Sequence, residues 1–209
     1  MAILPIDSGR YGTKEMLEIF GEQKKVDYQL QIEAAAALSQ SEINLIPKSI
    51  AKDIAKAARS GKITAKRIKQ LESKSDHDTA ALVESLAERC RKESRPWIHY
   101  GLTSNDLVDT SNSMQMRDAI KIIQPKVGKL ALLLSKNAVK YKVLPAVGRT
   151  HGQHASIISF GLKFANWASE MATHLERLDE IKKRILICKT LGVVGTGSLM
   201  GKDAVRVQE

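Results

Sequence analysis

Aromatic residues are scarce: two Trp, four Tyr and three Phe make up 4% of the 209 residues. Sandwiches and barrels draw on aromatic and β-branched residues, so this scarcity, beside abundant Ala, Leu, Ile, Lys and Glu, argues for helices and against an all-β fold. Cysteine occurs twice, which excludes a disulfide scaffold. Cys90 follows Val83 and Leu86, and Cys188 follows Ile181 and Ile185, at helical spacing; both are expected as reduced core thiols of a cytosolic protein. Five prolines and 13 glycines are too few for a collagen-like or disordered chain. Long hydrophobic runs are missing too. The longest aliphatic cluster, Leu130 to Leu134, is far too short to span a bilayer, and MAILPIDSGR lacks the charged and apolar regions of a secretory signal. The expectation is a soluble, unexported chain. Acidic residues are in deficit: 33 Lys and Arg face 23 Asp and Glu, a net charge of +10. Such a field attracts anions, whether nucleic acid, acidic lipid or phosphorylated metabolites.

What is present is helical periodicity. Thr13 reads as an N-cap for a short helix that Gly21 ends, and a second segment from Glu22 to Ser41 places Val26, Leu30, Ala34, Ala37 and Leu38 on one face. Pro47 opens a helix carrying Ile50, Ile54 and Ala57, Thr64 caps one with Ile68 and Leu71, and another from Asp78 runs on until the Arg95-Pro96 step stops it. Longer helices are then expected over Asn105 to Gln124, Pro125 to Lys142 and Ser156 to Thr190. In the last, Phe160, Phe164, Trp167, Met171, Leu175, Leu178, Ile181 and Ile185 recur every three or four residues along a rod of about 50 Å. No strand run is expected. The fold class is therefore all-α: a small helical N-terminal domain over residues 1–104, then the first long helices of a bundle over 105–209.

The chemically unusual residues fall in four non-periodic segments: SGRYG at 8–12, SDHDTAA at 75–81, WIHYGLTSNDLVDT at 97–110 and VGRTHGQHA at 147–155. They hold His77, His99, His151 and His154, four of the five histidines. Ser104 reads as the N-cap of the helix that follows, leaving backbone N–H groups near Gly101, Thr103 and His99 as an anion site, or else as a plain cap. His151, between Thr150 and Gly152, is placed to donate a proton at neutral pH, or to satisfy loop carbonyls. His77 lies between Asp76 and Asp78, whose charges favour its cation, while a helix start at Asp78 opposes it. Arg10 and Tyr11 offer a bidentate donor and a phenol for phosphate or carboxylate. A metal site at His151 and His154, or at His77, lacks a Cys or Glu at ligand spacing, so no metal is assigned.

In this order, RY, HD, HYGLTSNDLVDT, GRTHGQHA with FGLKFANW, and LGVVGTG at 191–197, the motifs run through nearly the whole chain, and the sequence resembles the adenylosuccinate lyases of the fumarase and aspartase superfamily. The resemblance implies β-elimination of fumarate from adenylosuccinate, giving AMP, and from the succinylo-carboxamide ribotide of purine biosynthesis. It implies no cofactor, a cytoplasmic homotetramer whose sites draw on three subunits, and a small-molecule anionic nucleotide as partner instead of nucleic acid or membrane. Carried onto this sequence, His151 is the general acid for the leaving nitrogen and His77 sits beside it. Arg10 and Tyr11 hold the nucleotide; His99, Thr103 and Ser104 bind phosphate or fumaryl oxygens; and Asp76, Asp78 and Thr150 complete the binding set. Asp76 departs from the Arg or Asn more usual there. The family's base is a Ser in a loop of the GSSxMPxKxN type, a motif these 209 residues do not contain. The chain is thus expected to lack the rest of the bundle and the C-terminal domain, and to be inactive alone. Two readings compete: a noncatalytic helical assembly or regulatory module, and a basic nucleic-acid-binding helical protein.

Overall fold

The computed structural model describes residues 9–208. Helices dominate, as expected; one two-stranded antiparallel sheet stands beside them among the described residues. Residues 9–116 together with 186–208 form one compact unit, and 117–185 form another. The expected division at 104/105 falls inside the first unit, because Asp106, Leu107, Thr110 and Ser111 bury themselves there.

In the first unit, Thr13 Oγ1 accepts from Met16 N–H at 3.4 Å and opens α1 (Lys14–Ile19). Gly21 precedes α2 (Glu22–Glu42) and Pro47 precedes α3 (Lys48–Ala58). Thr64 Oγ1 accepts from Arg67 N–H at 3.2 Å to open α4 (Ala65–Ser75), and the His77 ring opens α5 (Asp78–Ala87). These side chains satisfy amides that a helix start leaves without partners. The helix α5 ends at Ala87, short of the expected stop, and a 3-10 helix at Lys92–Trp97 takes in Pro96. Leu30, Ala34, Ile54, Leu71, Leu82, Leu86, Leu107 and Met200 share one core. The unit closes with a 3-10 turn at Ser198–Asp203 and α8 (Ala204–Gln208). Cys90 lies in this core, but Cys188 is exposed, because the helix expected to carry it has already ended.

The two helices expected on either side of Pro125 are one, α6 (Ser104–Lys140). An interior proline costs about 3 kcal/mol. Next to it, Gln124 donates to Asp179 at 2.9 Å and accepts from Lys182, so α6 is held where proline weakens it. Strands were not expected, yet β1 (Pro145–Thr150) pairs with β2 (Gln153–Ser159), with Gly148 opposite Ser156 and Arg149 opposite His154 across a bulge. Ile157 and Ile158 favour the strand, and α7 runs only over Phe160–Ile185, about 39 Å. Its first amides hold the turn that follows α6: Phe160 N–H donates to the Leu144 carbonyl at 2.7 Å and Gly161 N–H to that of Tyr141 at 3.0 Å. Tyr141, Phe160, Phe164 and Trp167 follow as a ladder of rings spaced 5.3–5.9 Å.

Candidate functional site

His151 occupies the tip of the β1–β2 hairpin. Thr150 pairs with Gln153, so His151 and Gly152 alone make the turn, with φ of 49° and 73°. Two left-handed residues between antiparallel strands are the mark of a type I′ turn, which favours Asn-Gly. A histidine there carries backbone strain of about 1 kcal/mol. Thr150, His151 and Gly152 are all exposed, and below the tip Arg149 faces His154, Nη2 to Nε2 at 3.3 Å. The hairpin therefore presents an exposed imidazole at the tip of a two-stranded arm.

His77 serves as the N-cap of α5, its Nδ1 accepting from Ala80 N–H at 3.3 Å. An accepting Nδ1 carries no proton, so any proton on this ring sits on Nε2. Asp78 Oδ1 lies 3.7 Å from His77 Nδ1 and accepts from Thr79 N–H at 2.6 Å and from Thr79 Oγ1 at 3.3 Å. Asp76 is the left-handed C-cap of α4, φ 51°, its N–H donating to the Glu72 carbonyl.

The HYGLTSND segment is held from within. Ser104 is the first residue of α6 and not its cap: Thr103 precedes the helix, its N–H donating to Asp106 Oδ2 at 3.0 Å. The expected pool of open amides thus loses that of Thr103. The same Oδ2 accepts from Gly192 N–H at 2.9 Å, which brings the LGVVGTG loop against the segment. Gly192 has φ of 80°, and a Cβ there would lie 2.9 Å from the Gly101 carbonyl oxygen. His99 is left-handed, φ 61°, and its backbone N–H and Nδ1 both meet the carboxylate of Glu33, at 3.0 and 2.6 Å.

Arg10 lies 5.5 Å from the Tyr11 ring centroid. Tyr11 lines a groove of about 810 Å³ with Thr13, Met16, Leu17 and Phe20. Arg10, Tyr11, Asp76, His77, Asp78, His99, Thr103 and Ser104 belong to the first unit, while Thr150 and His151 belong to the second. Glu33 and Asp106 escaped the sequence reading. Glu33 is 2% exposed although charged, and it sits seven residues from Val26 on a helix whose apolar face had been recognised. A charge on a buried face was the available signal. Among the described residues no group of three or more His, Cys, Asp or Glu could hold a metal ion, and no helix is long and apolar enough to cross a membrane.

Comparison with known proteins places this geometry in a family. The family described as lyase matches residues 9–208. The adenylosuccinate lyase of Methanocaldococcus jannaschii is 43% identical over 209 residues, covering all of this chain and 45% of that protein. That of Methanothermobacter thermautotrophicus is 39% identical, covering all of this chain and 46% of the relative. Among solved structures, a fumarate lyase from Mesorhizobium sp. BNC1 superposes with a TM-score of 0.87 at 30% identity, over 95% of this chain and 48% of its own. The chain spans about half the length of the relatives it matches, corresponding to their N-terminal part. With every described residue inside the family match, the chain belongs to the lyase family.

Proposed function

We propose that this chain forms the N-terminal part of a lyase that eliminates fumarate from adenylosuccinate, giving AMP, and from the related succinylo-carboxamide ribotide. The observation that carries the reading is the strained, exposed His151 at the tip of its hairpin. A histidine held against its backbone preference is better explained by chemistry than by folding. In the elimination, a base takes the proton from the carbon beside a carboxylate, the electron pair forms the double bond, and the C–N bond breaks. His151 gives its proton to the departing nitrogen. His77, Arg10, Tyr11, Asp76, Asp78, His99, Thr103, Ser104 and Thr150 bind or orient the substrate. Charge supports an anionic substrate: residues 117–185 hold 13 Lys and Arg against 5 Asp and Glu, so +8 of the chain's +10 lies in the unit that bears His151.

The site works in a homotetramer in the cytoplasm, without metal or other cofactor, and takes its base from a serine loop outside these residues. Leu132, Leu133, Val139, Ile157 and Trp167 are at least half exposed in the second unit, apolar side chains that subunit contacts in such an assembly would cover. Following adenylosuccinate by absorbance tests the reading. The 209-residue chain alone should show no turnover, and a protein carrying both halves of the family's chain should release fumarate. Turnover by the 209 residues alone would place the base among them and overturn the assignment of roles.

A further inference from the structure

We propose that Glu33 is the positioning residue for His99, gripping the ring at Nδ1 so that Nε2 is the nitrogen offered to a substrate oxygen. The inference rests on the reading above that His99 meets substrate. Glu33 lies on α2, 66 residues away in sequence and 2% exposed. Both its oxygens go to this one residue: Oε2 accepts the His99 backbone N–H at 3.0 Å, and Oε1 faces Nδ1 at 2.6 Å. Two turns further along α2, the equally buried Gln40 donates Nε2–H to the Tyr100 carbonyl at 2.6 Å. Together the two side chains clamp a turn that is left-handed at His99 and Gly101, φ 61° and 73°.

Holding the turn does not require a charge. Gln40 does it with a neutral amide, and a glutamine at position 33 could accept the His99 N–H as well. Unlike an amide side chain, an ionised carboxylate accepts without donating, so the ring nitrogen facing it carries a proton. Free imidazole has a choice of tautomers; this one does not. With Nδ1 committed, Nε2 remains for a ligand, as an acceptor while the ring is neutral and as a second donor once it is charged. The side chain of His99 stays 20% exposed, so the ring as a whole is not sealed from a ligand. A buried carboxylate without such a task is a costly way to hold a loop.

Two measurements test this. In the 209-residue chain, long-range proton–nitrogen NMR of the His99 ring during a pH titration should show Nδ1 protonated throughout and Nε2 alone titrating. Glu33→Gln should allow the Nε2–H tautomer to appear. A neutral wild-type ring protonated on Nε2, or a tautomer unchanged in Glu33→Gln, overturns the assignment. The wild-type titration needs no variant, so it decides even where Glu33→Gln does not fold. In a protein carrying both halves of the family's chain, Glu33→Gln should lower kcat/KM by roughly 10- to 100-fold, by analogy with the loss seen when the outer partner of a metal-ligating histidine is removed. Glu33→Asp, which keeps the charge, should recover part of that loss. Unchanged kinetics beside an altered tautomer also overturns the positioning role. Absence of fumarate release by the wild-type two-half protein instead sinks the functional reading, and is told apart from a wrong tautomer by the first measurement.

Discussion

Gly161→Ala should destabilise the chain by about 1–2 kcal/mol, and the sign follows from one close approach. A Cβ built on Gly161 falls against the backbone of the last turn of α6 and the residues just after it: hard against the Ala138 carbonyl oxygen and 2.9 Å from both Lys142 N and the Tyr141 carbonyl carbon. All three are main-chain atoms, which cannot rotate aside as a side chain would. Relief therefore means shifting α7 away from α6, and that shift lengthens the Gly161-to-Tyr141 and Phe160-to-Leu144 hydrogen bonds. Overpacking of this kind costs about 1–3 kcal/mol, against which alanine's helix propensity returns at most about 1 kcal/mol. For a chain of this size, 1–2 kcal/mol is roughly 2–8 °C in Tm. Gly128→Ala supplies the opposite case, because its Cβ would meet nothing within 4 Å in the same helix α6. That variant should gain up to about 1 kcal/mol. Thermal unfolding followed by far-ultraviolet circular dichroism reads both. A Gly161→Ala chain that melts within a degree of wild type, or a Gly128→Ala chain that melts lower, would refute the packing described for the second unit.

Other expectations are more local. Burial, with the Asp53 charge adding to it, pushes the Cys90 thiol up to about 11, so at pH 8 a thiol reagent should modify one cysteine per native chain, the exposed Cys188, and two only after denaturation. Because the folded state holds the Cys90 proton more tightly than the unfolded chain, that contribution to stability is complete below about pH 9 and is lost as pH rises towards 11; Cys90→Ala should flatten this part of the stability profile. His77→Ala removes the cap on α5 and should cost about 1 kcal/mol in chemical unfolding, while His77→Asn, another good cap, should cost little; equal losses in both would remove the capping role. Sedimentation at low micromolar concentration should find the 209-residue chain self-associated, and a compact monomer that binds no hydrophobic dye would show that its apolar side chains need no partner.

What could be read from the residues in advance divides along physical lines. Thr13 and Thr64 act through amides three residues away, so their capping is written locally and was legible, as was the apolar face of α2. The hairpin was not, because His-Gly is an unusual filler for a turn that normally takes Asn-Gly, and because Ser156 to Ser159 extends the apolar spacing of α7 backwards without a break. Pro125 misled for a related reason: local chemistry says stop, while the Gln124 bridge to Asp179 and Lys182 lies 55 and 58 residues away. The site divides in the same way. Its histidines stand out as residue types, but the partners that orient them, Glu33 for His99 and Asp106 for the 191–197 loop, act over 66 and 86 residues and carry no local signature.

If the strain at His151 serves catalysis, one substitution at that position should separate the fold from the chemistry. His151→Asn places the residue preferred by a type I′ turn at the hairpin tip, so the fold should be as stable as wild type or slightly more so. It removes the acid, so fumarate release from adenylosuccinate by a protein carrying both halves of the family's chain should fall by roughly 10²- to 10⁴-fold, chiefly in kcat. A His151→Asn protein that folds and still turns over adenylosuccinate at close to the wild-type rate would contradict the claim and reduce His151 to a turn residue.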